Sequence, residues 1–474
     1  MQKNNIPSVA ELRQTDPERG RDFTRSGGGW TLDFSGVPLT RDKLAGLERL
    51  PAECGLRSAI ERLFSGDIVN PSENQPALHM ALRAAEPFEG LGTDAARQVI
   101  SDREGFLDVA HRLHSGDTGL TDLLHIGIGG SDLGPRLVTD ALDEGDSAVR
   151  VHWLSTLDGR RFERLCRQLD PATTGLVIAS KSFSTEETLQ QAEAARDWLG
   201  ADWAERSWAA TANVDRAREF GLADAHVLPF PSWTGGRFSL WSSVGVSCAA
   251  AIGVERFRAL LEGAEAADAE FHRRPDAESL IPLFGLLIHY LRRELDCNTL
   301  GVVSYEPRLA LLADFLQQLF MESLGKGVDL DDRPLDQPAV PLIFGGRGTD
   351  LQHSIFQALH QGPDTHPLIL VGARQADHGH PDWHRRQLAH LLAQASAFEN
   401  GRSDGEAYQL MPGNRPVATL LVDRLDAHSL GWLLAAFEQV VYTLSVIWHI
   451  NPFDQWGVEE GKRLAGEIRQ QLDS

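Results

Sequence analysis

Cysteine is scarce in this 474-residue chain, and its four residues, Cys54, Cys166, Cys248 and Cys297, include no Cys-x-x-Cys pair. Disulfide frameworks and structural zinc sites are typically built from paired cysteines, so the sequence argues against both and suits a reducing compartment. Long apolar runs are also lacking. The first residues contain no apolar signal core, and no stretch reaches the roughly 18 uninterrupted apolar residues of a membrane span. We therefore expect a cytoplasmic protein without a membrane span.

Positive charge is in short supply as well. The chain has 45 Lys and Arg against 67 Asp and Glu, a formal net charge of −22 and a pI near 5.2. Such a chain repels phosphate backbones and anionic lipids, which argues against nucleic-acid and membrane partners but leaves room for a small anion pocket. Only five residues are lysine: Lys3, Lys43, Lys181, Lys326 and Lys462. A retained lysine can indicate a need for a compact ammonium, although codon bias explains the same pattern.

Hydrophobic patterning divides the chain into three parts. Residues 1–110 are polar, broken by Gly and Pro, and predicted to be mainly helical. Residues 111–275 and 276–474 each alternate apolar runs with amphipathic helices, with a helical connection over 257–297. This alternation is typical of parallel sheets with helices on both faces. We predict an α/β protein with two doubly wound parallel-sheet domains in tandem after a helical N-terminal segment.

Nine apolar runs are predicted as strands of these domains. The first domain has LLHIGIGG, VRVHWLST, GLVIASKS, WAATA and AHVLPF, and the second has LGVVSY, PLIFGG, HPLILVGA and VATLLVDRL.

A glycine-rich turn follows the first predicted strand, with the sequence GIGGSD over residues 127–132. Such a turn lets a ligand approach the backbone at a helix N-terminus, where anions bind well. It is neither a dinucleotide fingerprint, because Asp132 stands where GxGxxG needs glycine, nor a Walker loop, because no GK[ST] follows. A tight turn with Ser131 or Asp132 as N-cap explains it equally well.

Residues 180–185, SKSFST, combine hydroxyl groups with a lysine between a predicted strand and a predicted helix. Hydroxyls and backbone N–H groups at a helix start can hold a phosphate, and open α/β sheets bind ligands at this end of their strands. The alternative is a doubly capped helix, in which Ser184 or Thr185 acts with Glu187 or Thr188.

Charged residues near glycines or on helix faces are weaker signals. Arg237 follows two glycines in GGRF, and a fixed guanidinium there could face developing negative charge. Gln318 and Glu322 stand four apart on one predicted helical face, where a carboxylate can serve as a general base. Each of these residues, taken alone, is more typical of a solvated surface group.

Histidine and the C-terminal motif complete the candidates. His353 is predicted to open the helix of LQHSIFQALHQG, with Thr349 and Asp350 as candidate caps. HGHPDWH supplies three more histidines, but Pro381 should start a helix between the last two, so we predict no metal site. FDQWGVEEGK places Gln455, Glu459 and Lys462 on one helical face, which is also the ordinary spacing of a surface ion pair.

Together these segments resemble the glucose-6-phosphate isomerase family. The matching stretches occur in the family's order over residues 120–470: HIGIGGSDLGP, SKSFSTEET, GGRFSLWSSVG, QQLFMESLGK, QHSIFQALHQG, GNRP and INPFDQWGVEEGK. The resemblance implies two SIS-type (sugar isomerase) domains and a cytosolic homodimer. It also implies reversible conversion of glucose 6-phosphate to fructose 6-phosphate in glycolysis and gluconeogenesis, without metal or cofactor.

The resemblance also implies which residues bind the sugar phosphate. Gly130 and Ser131 would contact the sugar, and Gln318 would line the site. Lys181 would lie near the phosphate. The phosphate itself would be held by Ser180, Ser182, Ser184 and Thr185.

For catalysis the resemblance implies ring opening followed by proton transfer through a cis-enediolate. Glu322 would move the proton between C2 and C1, and Arg237 would stabilise the enediolate. His353, contributed by the partner subunit, would open the ring with support from Lys462 and orientation from Glu187.

The sequence departs from the family pattern in a few places. Ser182 and Ser184 replace the usual threonines, the loop between Glu322 and Pro341 is short, and GGRGTDLQHS adds Arg347 close to His353. A different class, a non-enzymatic SIS-type sugar-phosphate sensor, would need the phosphate loop but not the catalytic set.

Overall fold

The computed structural model describes residues 7–472, and its strands form two separate sheets. The strands are β1 (Thr24–Gly27), β2 (Trp30–Asp33), β3 (Asp122–Ile126), β4 (Arg150–Leu154), β5 (Thr174–Ala179), β6 (Ser207–Thr211), β7 (Val227–Pro229), β8 (Thr299–Ser304), β9 (Leu342–Arg347), β10 (Leu368–Ala373) and β11 (Val417–Val422). The helices are α1 (Val9–Thr15), α2 (Arg19–Asp22), α3 (Arg41–Leu47), α4 (Leu50–Glu53), α5 (Leu56–Ser65), α6 (Thr93–Ser115), α7 (Leu133–Leu142), α8 (Gly159–Gln168), α9 (Glu186–Leu199), α10 (Val214–Phe220), α11 (Val246–Ile252), α12 (Val254–Arg273), α13 (Leu280–His289), α14 (Leu312–Leu324), α15 (Gly348–Gln352), α16 (Phe356–Gln361), α17 (Pro381–Asn400), α18 (Ala427–Trp448) and α19 (Glu459–Leu472).

The first sheet is parallel throughout, in the order β4-β3-β5-β6-β7. The chain passes from β3 to β4 on one side and then to β5 on the other, so the strand order reverses between β3 and β5. Open α/β sheets bind ligands outside the carboxyl ends of the strands at such a reversal. The glycine turn follows β3 and the hydroxyl-rich loop follows β5, so both motifs lie at this point of the sheet.

The second sheet has the order β1-β2-β11-β10-β8-β9. Its four strands from residues 299–422 are parallel, whereas β2 runs antiparallel to β11, with Thr419 opposite Asp33. Because β1 and β2 belong to the N-terminal segment, that segment completes a sheet built mainly by the last third of the chain.

The hairpin of β1 and β2 was not predicted from the sequence, which indicated a mainly helical segment in residues 1–110. Gly28 and Gly29 form its two-residue turn with φ angles of +55° and +83°, the left-handed conformations of a type I′ turn. A side chain at Gly28 would also overlap the indole of Trp432, since its Cβ would lie 2.0 Å from that ring. The glycines of SGGGW therefore mark a hairpin packed against α18.

The α/β class and all nine predicted strands are confirmed, with ends shifted by a few residues. The helical connection over 257–297 is confirmed as α12 and α13. The division of the chain at residues 110 and 275 stays a prediction. The hairpin belongs to the first of these three parts but pairs with the sheet of the third.

Helix α18 is long and apolar enough, by length and composition alone, to cross a membrane. However, 89% of its most apolar stretch is buried inside the protein, where it packs against α12 and α13. A core helix accounts for it, because a helix that is apolar on all sides is expected at the centre of a large protein.

A buried charge cluster ties the N-terminal segment to these core helices. The Arg83 guanidinium donates two hydrogen bonds of 2.7 Å to the Asp268 carboxylate on α12 and one of 2.5 Å to Glu438 on α18. Glu438 also accepts from the Trp241 indole at 2.8 Å, and Gln439 donates to Asp268 at 2.7 Å. Burial raises the pKa of Glu438 to about 7 even though Arg83 opposes the shift.

Replacing Arg83 should therefore destabilise the fold strongly. We expect Arg83→Met to lower the free energy of unfolding by about 3–5 kcal/mol, because it leaves two buried carboxylates without their cation. Urea unfolding followed by circular dichroism measures the change. Arg97→Met is the matched control, since Arg97 is exposed and lies 4.0 Å from Asp94. Equal stability of the two variants would contradict the proposed role of the cluster.

Candidate active site

Two turns of the chain and helix α14 meet at the carboxyl end of the first sheet. A Cβ at Gly130 would lie 1.9 Å from the carbonyl oxygen of Gly236, so the glycine turn packs directly on the backbone of the GGRF turn. A Cβ at Gly129 would lie 2.9 Å from Nε2 of Gln318 on α14. Gly130 leaves no room for a side chain, and Gly129 has a φ of +61°, which favours glycine. The close packing brings the Arg237 turn and α14 together.

Arg237 is buried and uses all five of its guanidinium N–H donors. Nε donates to Ser323 Oγ at 2.7 Å. Nη1 donates to Glu322 Oε2 at 3.2 Å and to Gln455 Oε1 at 2.8 Å. Nη2 donates to the carbonyl oxygens of Pro452 at 2.6 Å and Asp454 at 3.1 Å. Burial lowers the pKa of Arg237, and the neighbouring Glu322 carboxylate opposes this shift.

Glu322 lies in the last turn of α14, with its side chain 30% exposed. Gln318, one turn earlier, donates from Nε2 to both carboxylate oxygens at 3.3 Å. The apolar positions of α14, including Leu319 and Phe320, are buried in the core and fix the helix. The result is a carboxylate held by an amide and a guanidinium but still open to solvent, which suits proton transfer to a bound molecule.

A cleft of about 710 Å³ opens beside Glu322. It is lined by the end of α14, by Pro71 and Ser72 of the N-terminal segment, and by residues of the 451–458 segment. Its volume matches that of a small-molecule site.

The hydroxyl-rich loop is held by an apolar anchor. Phe183 has a φ of +47°, and its buried ring packs against Phe220 with centroids 5.7 Å apart. This leaves Ser182 and Ser184 exposed, with a hydrogen bond of 2.7 Å between their hydroxyls. Thr185 occupies the N-cap of α9 without capping it by its side chain. The doubly capped helix considered from the sequence is therefore not formed, and these hydroxyls stay available.

Two further residues link this loop to its surroundings. Ser180 Oγ lies 3.4 Å from Thr185 Oγ1. Lys181 lines a small cavity together with Glu73, His79 and Gln455, next to the Arg237 turn. Burial lowers the pKa of Lys181, and the Glu73 carboxylate opposes the shift.

Other predicted residues have more modest positions. The carbonyl oxygen of Ser131 faces Nε2 of the buried His125 at 2.8 Å, which fixes the end of the glycine turn. Glu187 lies half-buried in the first turn of α9. The structure thus brings Gly130, Gln318, Glu322 and Arg237 together and places the hydroxyl loop at the same sheet edge.

His353 does not open a helix, so that prediction is wrong. It lies at the C-cap of α15, because the helix starts at Gly348 and includes Thr349 and Asp350, and α16 begins only at Phe356. Its side chain is exposed and makes no hydrogen bond or ion pair with any residue between 7 and 472. Within one chain, the predicted ring-opening histidine is therefore not joined to Glu322.

The contacts of Lys462 in the described part of the chain include neither Glu322 nor Arg237. Its ammonium pairs with Glu459 on α19 at 2.7 Å and is exposed. Gln455, predicted on the same helical face, instead precedes a single 3₁₀ turn and bonds Arg237.

Sequence reasoning missed several residues in the cleft and beside it. Lys326 and Asp454 form an ion pair of 2.6 Å, and Ser72 and Asn451 both donate to the Asp454 carboxylate. Ser323 accepts from Arg237. The rarity of lysine in the chain was a sequence signal that could have pointed to Lys326. The sequence around Ser72 contains no comparable signal.

Known proteins are similar to the chain over most of its length. Residues 33–474 match the family model described as phosphoglucose isomerase. The glucose-6-phosphate isomerase of Stenotrophomonas maltophilia (strain R551-3) is 43% identical over 471 residues, covering 97% of this chain and 91% of that protein. The enzyme of the same name from Xanthomonas axonopodis pv. citri (strain 306) is 41% identical over 463 residues, with the same coverage.

Structural comparison leads to the same family. The crystal structure of a glucose-6-phosphate isomerase from Chlamydia trachomatis superposes with a TM-score of 0.90 at 28% identity, covering 99% of this chain and 94% of that one. The family match spans most of the chain, and the relatives cover nearly all of it. The chain therefore belongs to the phosphoglucose isomerase family.

Proposed function

We propose that the protein interconverts glucose 6-phosphate and fructose 6-phosphate by ring opening and proton transfer, as a step of glycolysis and gluconeogenesis. The observation that supports this best is the half-open Glu322 carboxylate held 3.2 Å from the buried Arg237 guanidinium beside a cleft. The similar proteins named above are isomerases by name, which favours catalysis over a sugar-phosphate sensor.

In the proposed reaction, the Glu322 carboxylate takes the proton from C2 of the open aldose. The electrons of the C–H bond form the C1–C2 double bond, and the carbonyl electrons move to O1 to give a cis-enediolate. The proton of the C2 hydroxyl then passes to O1, the electrons on O2 form the C2 carbonyl, and the same carboxylate returns its proton to C1 to give the ketose. Arg237 has every donor in use, so we assign its contribution to a buried, fixed positive charge beside the developing oxyanion.

The phosphate would bind at the loop after β5, through the hydroxyls of Ser180, Ser182, Ser184 and Thr185, with Lys181 close by. Gly130 and Ser131 would contact the sugar, and Gln318 would line its path to Glu322. A phosphate held at a separate point supplies binding energy that orients the reacting carbons without touching them. The position of both loops at the reversal of strand order supports this assignment.

His353 would open the sugar ring in the partner subunit's active site, supported by Lys462 and oriented by Glu187. We therefore propose a cytoplasmic homodimer, in which each 474-residue chain contributes SIS-type domains over 111–275 and 276–474. The His353 side chain is exposed and has no hydrogen-bond or ion-pair partner among residues 7–472, which supports its use in the partner subunit's site. The exposed apolar side chains of α19, among them Leu464 and Ile468, offer surface that a second copy would cover.

Removal of the proposed base provides the first test. Glu322→Gln keeps the size and one acceptor of the side chain but cannot take a proton, so we expect fructose 6-phosphate turnover to fall by about 10²–10⁴-fold. The measurement couples glucose 6-phosphate to an NADP-dependent dehydrogenase, in EDTA.

The control for this test is Glu163→Gln, because Glu163 is exposed on α8 and pairs only weakly with Arg167 at 3.6 Å. It should retain full activity. Calorimetric binding of fructose 6-phosphate to Glu322→Gln shows that the site is intact. Turnover by Glu322→Gln at the wild-type rate would refute the assignment of the base.

Mixing two inactive variants tests the origin of His353. In a dimer of one His353→Gln chain and one Glu322→Gln chain, a histidine supplied across the interface leaves one complete site. Random pairing of the two chains by co-expression should then restore about a quarter of the wild-type activity, as expected for a twofold symmetric dimer.

If His353 acts within its own chain, both sites of the mixed dimer are defective and activity stays at the level of the separate variants. Light scattering on the same samples establishes the oligomeric state. A monomer would contradict the proposed interface outright.

A further inference from the structure

Asp454 is a buried junction of four chain segments beside the active site. Its carboxylate accepts from Lys326 Nζ at 2.6 Å on one oxygen, and from Ser72 Oγ at 2.5 Å and Asn451 Nδ2 at 2.9 Å on the other. Its carbonyl oxygen accepts from Lys326 Nζ at 2.5 Å and from Arg237 Nη2 at 3.1 Å. The side chains of Lys326 and Asp454 are only 14% and 11% exposed.

The position of this segment determines the position of Arg237. Three of the five Arg237 hydrogen bonds go to residues 452–455, namely to the carbonyls of Pro452 and Asp454 and to the side chain of Gln455. The segment itself follows the end of α18 and has no regular secondary structure before Trp456. Its fixed geometry therefore depends on side-chain contacts, among which the Lys326–Asp454 pair connects it to the turn directly after α14.

The pair also balances charge around the reacting groups. Glu322 and Asp454 are carboxylates on two sides of one guanidinium, and Arg237 contacts the first directly and the second through its carbonyl. Without the Lys326 ammonium, the buried Asp454 carboxylate would lack its cation and would draw Arg237 away from Glu322.

We infer that Lys326 and Asp454 are a pair of positioning residues for the isomerisation, which hold residues 452–455 so that these fix Arg237 beside Glu322. The inference rests on the proposed function. It assigns the pair no contact with substrate. Because the phosphate is bound elsewhere, at the loop after β5, disturbing the pair should affect the chemical step more than substrate binding.

Steady-state kinetics of Lys326→Met, Lys326→Arg and Asp454→Asn test this. We expect kcat to fall by about 10–100-fold in Lys326→Met and Asp454→Asn, since a displacement of about 1 Å in a reacting group has this effect, with KM changed by about threefold or less. Lys326→Arg keeps the charge and should recover part of kcat. Lys43→Met is the matched control, because Lys43 is an exposed lysine of α3 that pairs with Glu294 and should keep wild-type kinetics.

A double-variant cycle shows whether the pair acts through Arg237. Arg237→Lys cannot use the acceptors of residues 452–455 in the same way, so adding Lys326→Met to it should lower kcat much less than Lys326→Met does alone. If the two substitutions lower kcat by independent factors that multiply in the double variant, the inference is overturned. An unchanged kcat in Lys326→Met, or no recovery with Lys326→Arg, would overturn it as well.

Folding and function are checked separately. Thermal unfolding of each variant shows whether it is folded, and if Lys326→Met is not, Ser72→Ala removes one contact to Asp454 and should still lower kcat with KM kept. Failure of the wild type to turn over fructose 6-phosphate would refute the proposed function. Wild-type turnover with variants indistinguishable from it would refute only the positioning role.

Discussion

The candidate active site depends on a buried arginine whose five donors are all satisfied. A guanidinium removed from water is tolerated only when acceptors surround it, and those of Arg237 come from Ser323 and Glu322 on one side and residues 452–455 on the other. These acceptors lie more than a hundred residues apart in sequence. The site therefore exists only when α14 and the segment after α18 are both docked, which links chemistry to completion of the fold.

The two sheets have different tasks around this arginine. The first presents the glycine turn and the hydroxyl loop at its reversal of strand order, where backbone and hydroxyl groups suit an anion. The second part of the chain supplies α14, with its carboxylate. The close contact between the backbones of Gly130 and Gly236 sets the Arg237 turn on the glycine turn. Arg237 in turn bonds Glu322 and Ser323 of α14. A sugar phosphate held by its phosphate at the hydroxyl loop would thus have its carbons beside the carboxylate of α14.

The sequence predicted what depends on local pattern and missed what depends on contacts distant along the chain. Buried strands of parallel sheets are continuous apolar runs, so all nine were found, whereas β1 (TRSG) and β2 (WTLD) are four residues each and mostly polar. His353 was misplaced because Thr349 and Asp350 resemble helix caps but lie inside α15. The Arg83 cluster joins residues 83, 268 and 438, and no spacing in the sequence indicates such a contact.

Lysine usage shows how far a compositional signal can reach. Lys43 and Lys462 are exposed partners of glutamates, a task that arginine performs throughout this chain. Lys181 and Lys326 are half-buried, and burial lowers the pKa of both. At Lys326 one ammonium reaches two oxygens of the same residue, Asp454, within 2.6 Å. A compact, rotatable donor fits these converging acceptors, while a planar guanidinium directs its N–H groups along fixed, diverging lines. The need for a compact donor therefore explains lysine where the charge is buried and several acceptors point at it. It gives no reason for lysine at the exposed positions.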